Sequence, residues 1–470
     1  MDPAPHAPSR VRRWSVPALL LVVLLAGLLY TSRSVQAGAR RPNVIVITLD
    51  TLRADRLGCY GYPKGTTPEL DRFAERATRF EHAYTPQGFT LTAHMSLSTS
   101  LYPSVHRVDP QHALPRTVKK LSQRLDEAGY RTIGIVDSVP WMAPEFGFDR
   151  GFDRYEQVEG GAREKNVLVE DVLAQPLEAP LYLKLHYFDP HSDDERKPYE
   201  ATSEDAERFT SWYAGPYDGC SPSGKCGTQH LIEIQTTGML PDPDVQRLIS
   251  DQYDAGVRSM DRELGALFRR LEELGRFEDT WIVVTADHGE LLFEHGTVLH
   301  GHFWDETLHV PLLVHAPGQT TSAVSDALVS LVDIAPTLLD VLGLAPMKPT
   351  QGTSFAPALR GQPMDARPPV ELAADARTFG VQDARWKIFG MGEFHLYDRV
   401  NDPGETTNLW RTDAIEGSAR TMREALREQR NEGARLRLHV GPPLAIGAAS
   451  EETKNTLHGL GYDGGTGDER

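Results

Sequence analysis

Positive charge is in short supply in this chain. Lysine and arginine number 49 against 66 aspartates and glutamates, a net −17. Six of the arginines fall in the first 41 residues beside a single acid, which leaves 43 bases against 65 acids, a net −22, on the remainder. A domain that acidic repels a polyanion, so non-specific nucleic-acid binding is excluded. Any site for an anionic ester must then be locally electropositive, most simply through a metal. The periodic glycine of collagen, disordered tails, polytopic membrane segments and internal repeats are also missing. What is present, 40% hydrophobic and 24% charged residues, is the composition of a folded protein with a large core.

The one long apolar stretch lies near the start. Arg10, Arg12 and Arg13 precede residues 15–30, followed by the small polar run Ser34-Val35-Gln36-Ala37. Basic, apolar, then small is the order of an export signal. The apolar part sits between a signal-peptide core and a minimal span of about 17 residues. It reads as a single-pass membrane anchor or, alternatively, a cleaved signal of a secreted protein. Either way the bulk of the chain faces the periplasm or the extracellular side. Cysteine is rare, three in all. Cys220 and Cys226 bracket a turn-rich loop short enough for a local disulfide in an oxidising compartment. Cys59 reads as a small buried residue rather than a nucleophile.

Four apolar runs, 44–49, 181–187, 281–285 and 310–314, read as strands buried on both faces. Asp242-Pro243 opens a long amphipathic helix that Gly275 stops. Alternation of this kind predicts an α/β sheet covered by helices on both sides. Residues 192–240 break the rhythm with a polar, Gly-, Pro- and Ser-rich insertion over the surface. The expected division is 1–41 as signal or anchor, 42–360 as catalytic domain, and 361–470 as a small α+β subdomain and tail. Strand-like pieces at 386–390 and 394–397 and a charged helix at 416–437 furnish the last part, and 461–470 reads as a frayed end.

Position carries the chemistry. Asp50 follows the first strand, Asp189 and His191 follow the second, and Asp287 and His288 follow the third. In open α/β sheets ligands sit outside the carboxyl ends of the strands, where such residues converge. Oxygen donors alone favour calcium or magnesium; adding the imidazole of His288 shifts preference to zinc or manganese.

The order of motifs resembles the sulfatase branch of the alkaline-phosphatase superfamily over nearly the whole exported length. The matches run from NVIVITLDTLRADRLGCYG at 43–61 through TLTAH at 90–94, LYP at 101–103 and GFDRGFD at 147–153. They continue with DPH at 189–191, TADHGE at 285–290, His300-Gly301, Glu306, Val310-Pro311 and DIAPT at 333–337. They close with LYD at 396–398, DPGET at 402–406 and Asn408-Leu409. The resemblance implies an alkaline-phosphatase-like mixed sheet sandwiched by helices, a small C-terminal α+β subdomain, and one or two divalent metals beside a covalent nucleophile. By position, Asp50, Asp287 and His288 match metal ligands, Thr90 matches the nucleophile and a further ligand, and His191 matches a histidine contacting the transferred group or leaving oxygen.

The departures shape the expectation. Sulfatases proper carry Cys or Ser, any residue, then Pro-Ser-Arg, with the first residue oxidised to formylglycine. Here Thr90 and His94 hold the first and last positions, and threonine cannot become that aldehyde. Thr51 replaces a second aspartate, Val136-Asp137-Ser138 replaces a Lys-x-His segment, and His300 aligns with a lysine. A nucleophilic threonine with Asp-His-Gly-Glu and a later His-Gly also looks like the metal-dependent phosphoethanolamine transferases and phosphodiesterases of the superfamily. The expectation is therefore a metal-dependent hydrolase of a sulfate or phosphate mono- or diester on a small molecule, glycan or lipid. Thr90 attacks, His191 or His300 stabilises the departing oxygen, and Zn or Mn is favoured over Ca. His94 orients Thr90, joins a second metal or packs beneath the turn; Asp189 and His302 stand beside it as second-layer or second-metal candidates. The alternatives are a phosphoethanolamine-type transferase and a non-catalytic metal-binding relative.

Overall fold

The run Val44-Ile45-Val46-Ile47-Thr48 is β-branched throughout, which favours extended backbone, and it has no polar face to turn to water. In the computed structural model, which describes residues 41–192, 196–373, 379–391, 393–410 and 416–446, it forms β1 (Asn43–Leu49), buried from Val44 onward. The expected anchor or signal and the 461–470 tail lie outside the described residues. Among the described residues no helix is long and apolar enough to cross a membrane.

β1 sits within an eight-stranded sheet. The other members are β2 (Thr78–Tyr84), β3 (Arg131–Asp137), β4 (Arg154–Val158), β5 (Leu181–Tyr187), β6 (Thr280–Ala286), β7 (Leu312–His315) and β8 (Ala323–Ser330). Their order is β8-β2-β7-β6-β1-β5-β3-β4. Only β7 runs antiparallel, to both β2 and β6. The sheet is thus mixed, as the resemblance implies. β7 starts two residues later than the apolar run at 310–314 suggests, because Pro311 has no N–H to give a ladder. Val310 bonds instead through its N–H to Ala83 O at 3.0 Å.

Helices cover the sheet. The fully buried α1 (Thr90–Thr99) follows β2, and α2 (Ala162–Ala174) connects β4 to β5. The long α3 (Pro243–Glu273) begins where its sequence signals place it: the Asp242 side chain accepts from the N–H groups of Asp244 and Val245, both at 3.1 Å. Its apolar face, including Val245, Ile249, Tyr253, Val257, Met260 and Leu264, enters the main core. The 192–240 insertion contains two helices, Ser203–Thr210 and Thr228–Thr237, and a disulfide joins Cys220 to Cys226.

A second sheet is an antiparallel meander of β9 (Val370–Ala373), β10 (Phe379–Gln382), β11 (Trp386–Met391) and β12 (Glu393–Asp398). Val381, Ile388 and Leu396 on this sheet pack against Met422 and Leu426 of α4 (Glu416–Val440). Charge ties it to the larger sheet's loops. The fully buried Lys387 of β11 donates to Phe303 O at 3.0 Å and pairs with Glu405 at 2.7 Å and with Asp305. Arg399 reaches the other oxygen of Asp305 at 2.6 Å. Two cations and two carboxylates compensate one another there, which a buried charge requires.

Candidate active site

Strand register gathers the acids. β1 pairs in parallel with both β5 and β6, and Thr48 lies level with His186 on one side and Thr285 on the other. Side chains alternate along a strand, so two residues apart means the same face. Asp50 and Asp287 therefore fall level with each other just past the sheet's carboxyl edge, on the face that also carries Thr48, Thr285, His186 and Lys184. Asp50 Oδ2 is 3.0 Å from His186 Nε2. Asp287 Oδ1 accepts from the N–H of Thr51 at 3.3 Å and of His288 at 2.8 Å. Thr51 holds a left-handed backbone at φ 52°, an uncommon strain for a β-branched residue, and this turn aims its N–H at Asp287.

Thr90 is the first residue of α1, where helix N–H groups lack intrahelical partners and favour negative charge. Its Oγ1 is 3.3 Å from His288 Nε2 and 3.5 Å from Asp50 Oδ2. One helical turn on, His94 projects from the same face of α1. Its Nε2 lies 3.6 Å from Asp287 Oδ2, and its ring meets that of His186 edge to face at 4.7 Å. Thr90, His94, Asp50, His186, Asp287 and His288 are all fully buried.

Proton positions follow from the partners. His288 Nδ1 is 3.0 Å from Gly289 O, a carbonyl that only accepts, so Nδ1 carries a hydrogen and Nε2 is the nitrogen turned to the site. Nε2 faces Asp287 Oδ2 at 3.5 Å and Asp50 Oδ1 at 3.8 Å. His191 is set the same way: Nδ1 donates to Ser192 O at 3.0 Å, and the ring stacks on Phe188 at 4.1 Å. His300 places its ring 4.6 Å from His288 and 5.1 Å from His191, with Nδ1 held by Glu290 Oε2 at 2.7 Å. Tyr199 donates to Glu290 Oε1 at 2.8 Å.

Burial sets the ionisation. It raises the Asp50 carboxyl well above the usual range, and the charge of Asp287 adds to the rise. It pushes His186 down to about 4 and His94 and His191 well below the usual imidazole value, so these rings stay neutral. The Lys184 ammonium falls to about 8 by burial, against the pull of Asp287.

Two triads lie within metal-binding reach: Asp50, Asp287 and His288, and separately His94, His186 and Asp287, each with ligand atoms within 4.8 Å of one another. Asp50 Oδ1 and Asp287 Oδ2 are buried without a hydrogen-bond partner among the described residues. Paired carboxylates in that state are costly unless a cation is shared between them, so the donor set fits a divalent ion.

The expected residues do not all converge. Asp189 belongs to neither triad and gives its Oδ1 to the start of α2, accepting from Ala162 N–H at 2.8 Å. His302 belongs to neither triad. Sequence reasoning passed over His186, Lys184 and Tyr199. His186 and Lys184 had a signal: polar residues at alternate positions inside an otherwise apolar, doubly buried strand. Tyr199 had none, since it reaches the site from the insertion.

The family model described as sulfatase matches residues 42–344, and that of the N-sulphoglucosamine sulphohydrolase C-terminal region matches 293–432. The chain belongs to the sulfatase family. This sulfatase-family ester hydrolase is 24% identical to human arylsulfatase A over 88% of its own length and 90% of the human protein. It is 25% identical to human N-sulphoglucosamine sulphohydrolase, over 74% of this chain and 70% of that one. Its fold is that of the phosphonate monoester hydrolase of Agrobacterium radiobacter, with a TM-score of 0.67 at 20% identity, covering 84% of this chain and 96% of the other.

Proposed function

We propose that this sulfatase-family protein hydrolyses a phosphate or sulfate ester of a small molecule, glycan or lipid, with Thr90 as the nucleophile. The observation that carries the reading is the position of Thr90 Oγ1, buried at a helix N-terminus within 3.5 Å of both His288 Nε2 and Asp50 Oδ2. Asp50, Asp287, His288 and Thr90 itself are the residues that would hold a divalent ion. When bound there, such an ion neutralises non-bridging oxygens and makes a coordinated hydroxyl more acidic. Mixed imidazole and carboxylate donors favour Zn or Mn over Ca.

The remaining chemistry belongs to the chain. Thr90 Oγ1 attacks phosphorus or sulfur, its proton passing to a neighbouring acceptor, and the ester bond to the leaving alcohol breaks. His300, oriented and charge-balanced by Glu290, supplies a proton to the departing oxygen, and neutral His191 hydrogen-bonds the transferred group. Water then attacks the threonyl ester, freeing Thr90 and inorganic phosphate or sulfate. A formylglycine hydrate has a second hydroxyl with which to expel sulfate; threonine does not, so its ester is released only by attack at the central atom. That difference favours phosphoryl over sulfuryl substrates.

Location belongs to the same proposal. The basic, apolar, small-residue order at the start and the Cys220–Cys226 disulfide support export to an oxidising compartment, with residues 15–30 as anchor or cleaved signal.

The test is an acid-quenched turnover of nitrophenyl phosphate, phosphodiester, phosphonate and sulfate probes, followed by peptide mass analysis. A phosphoryl or sulfuryl adduct on Thr90 is expected, and turnover should vanish in Thr90→Ala. Undiminished turnover in that variant overturns the assignment, and turnover only with an added acceptor alcohol makes the enzyme a transferase.

A further inference from the structure

His94 has no partner that explains it. Among the described residues neither ring nitrogen finds a hydrogen-bond partner, although the side chain is fully buried. A buried imidazole in that state loses water's hydrogen bonds and gains none, a cost of about 1–3 kcal/mol per group. Packing alone does not justify it, because an apolar side chain would fill the same space without that cost. Orienting Thr90 does not justify it either, since no hydrogen bond from His94 reaches Thr90. His186 Nδ1 is likewise unsatisfied, and Asp287 Oδ2 completes the group.

The separations are those of ligands around a shared ion. With bonds of about 2.0–2.1 Å, neighbouring ligand atoms stand roughly 2.9–3.4 Å apart, depending on geometry. His94 Nε2 and Asp287 Oδ2 are 3.6 Å apart, too far for a hydrogen bond and close to that range. His186 Nε2 also lies 3.0 Å from Asp50 Oδ2, so a second carboxylate adjoins the group. Each member comes from a different element: α1, β5 and the end of β6.

We propose that His94, His186 and Asp287 form a second divalent-cation site, which shares the Asp287 carboxylate with the Asp50–Asp287–His288 site and makes the centre binuclear. Two imidazoles with one carboxylate select a borderline transition ion such as Zn²⁺, Mn²⁺ or Co²⁺ over Ca²⁺ or Mg²⁺. The inference rests on reading Asp50, Asp287 and His288 as the holders of the first ion.

Metal counting on the full chain tests it. After loading with Mn²⁺ or Zn²⁺ and desalting, elemental analysis is expected to find two ions per wild-type chain and one in His94→Ala and in His186→Ala. Paramagnetic resonance of the Mn²⁺ form is expected to show a spin-coupled pair in wild type, replaced by an isolated-ion spectrum in those variants. One ion per wild-type chain, unchanged in His94→Ala, overturns the second site and leaves the Lys184 ammonium as the cation beside these histidines. No ion in wild type, or full loading in Asp50→Asn with His288→Ala, sinks the first-site reading instead. Should either alanine variant fail to fold, the wild-type count and its spectrum decide alone.

Discussion

Glu290 holds His300 by a 2.7 Å contact between Oε2 and Nδ1, while Tyr199 occupies the other carboxylate oxygen. A ring fixed at Nδ1 presents Nε2 to the site in one orientation, and the carboxylate stabilises the imidazolium that forms when Nε2 carries a proton. Replacing Glu290 by glutamine keeps the shape and removes the charge. Glu290→Gln is expected to lower kcat roughly 10- to 100-fold, the usual range for partners of this kind, with KM little changed. Steady-state kinetics of Glu290→Asp, which keeps the charge, check the role: it should recover more of kcat than Glu290→Gln, which a purely structural loss would not cause.

Removing divalent ions should both silence and soften the protein. Dialysis against a chelator is expected to abolish turnover and to lower Tm, because a bound ion stabilises only the folded chain. Zn²⁺ or Mn²⁺ should restore both, and Ca²⁺ should restore neither. Melting curves alongside reactivation assays read the two effects separately.

Glu371 of β9 offers a pH test that does not depend on turnover. Burial raises its carboxyl from 4.5 to about 7, so between those values the folded chain holds a proton that the unfolded chain has released. Stability contributed by this group is therefore complete below pH 4.5 and is lost as pH rises through 7. Glu371→Gln is expected to gain up to about 3 kcal/mol at pH 8 and almost nothing at pH 4.5. Urea unfolding at the two pH values measures the difference.

His106 works in the opposite sense. Its Nδ1 accepts from Val108 N–H at 3.0 Å, its Nε2 lies 3.1 Å from Ser96 Oγ, and burial drives it down to about 3. The unfolded chain takes up this proton first as pH falls below 6.5, so stability should decline with acidification from 6.5 towards 3. His106→Gln, which cannot titrate, is expected to flatten that part of the curve in acid-unfolding measurements.

Much of this architecture is legible in the order of residues. Doubly buried strands leave sharp edges, so the ends of β1 and β6, and with them Asp50, Asp287 and His288, can be read directly. Thr90 is legible through its motif and the start of α1. Other features depend on information that no local pattern carries. His186 stands out as a polar residue inside an apolar strand, but which face it shares with Asp50 follows only from the register with β1. The Glu290–His300 pairing joins side chains ten residues apart through a loop whose course is set elsewhere. Asp189 follows its strand as a ligand would, yet the start of α2 claims its carboxylate.

The buried ion pairs of Lys387 and Arg399 with Asp305 bear on how this molecule tolerates shortening. The segment they pin, Phe303 to Asp305, leads straight out of His300 and His302. A chain cut before Phe379 would take both cations away from the Asp305 carboxylate and release the segment that follows His300. The carboxyl-terminal meander is thus a buttress for the chemistry, and the two sheets must be inherited together.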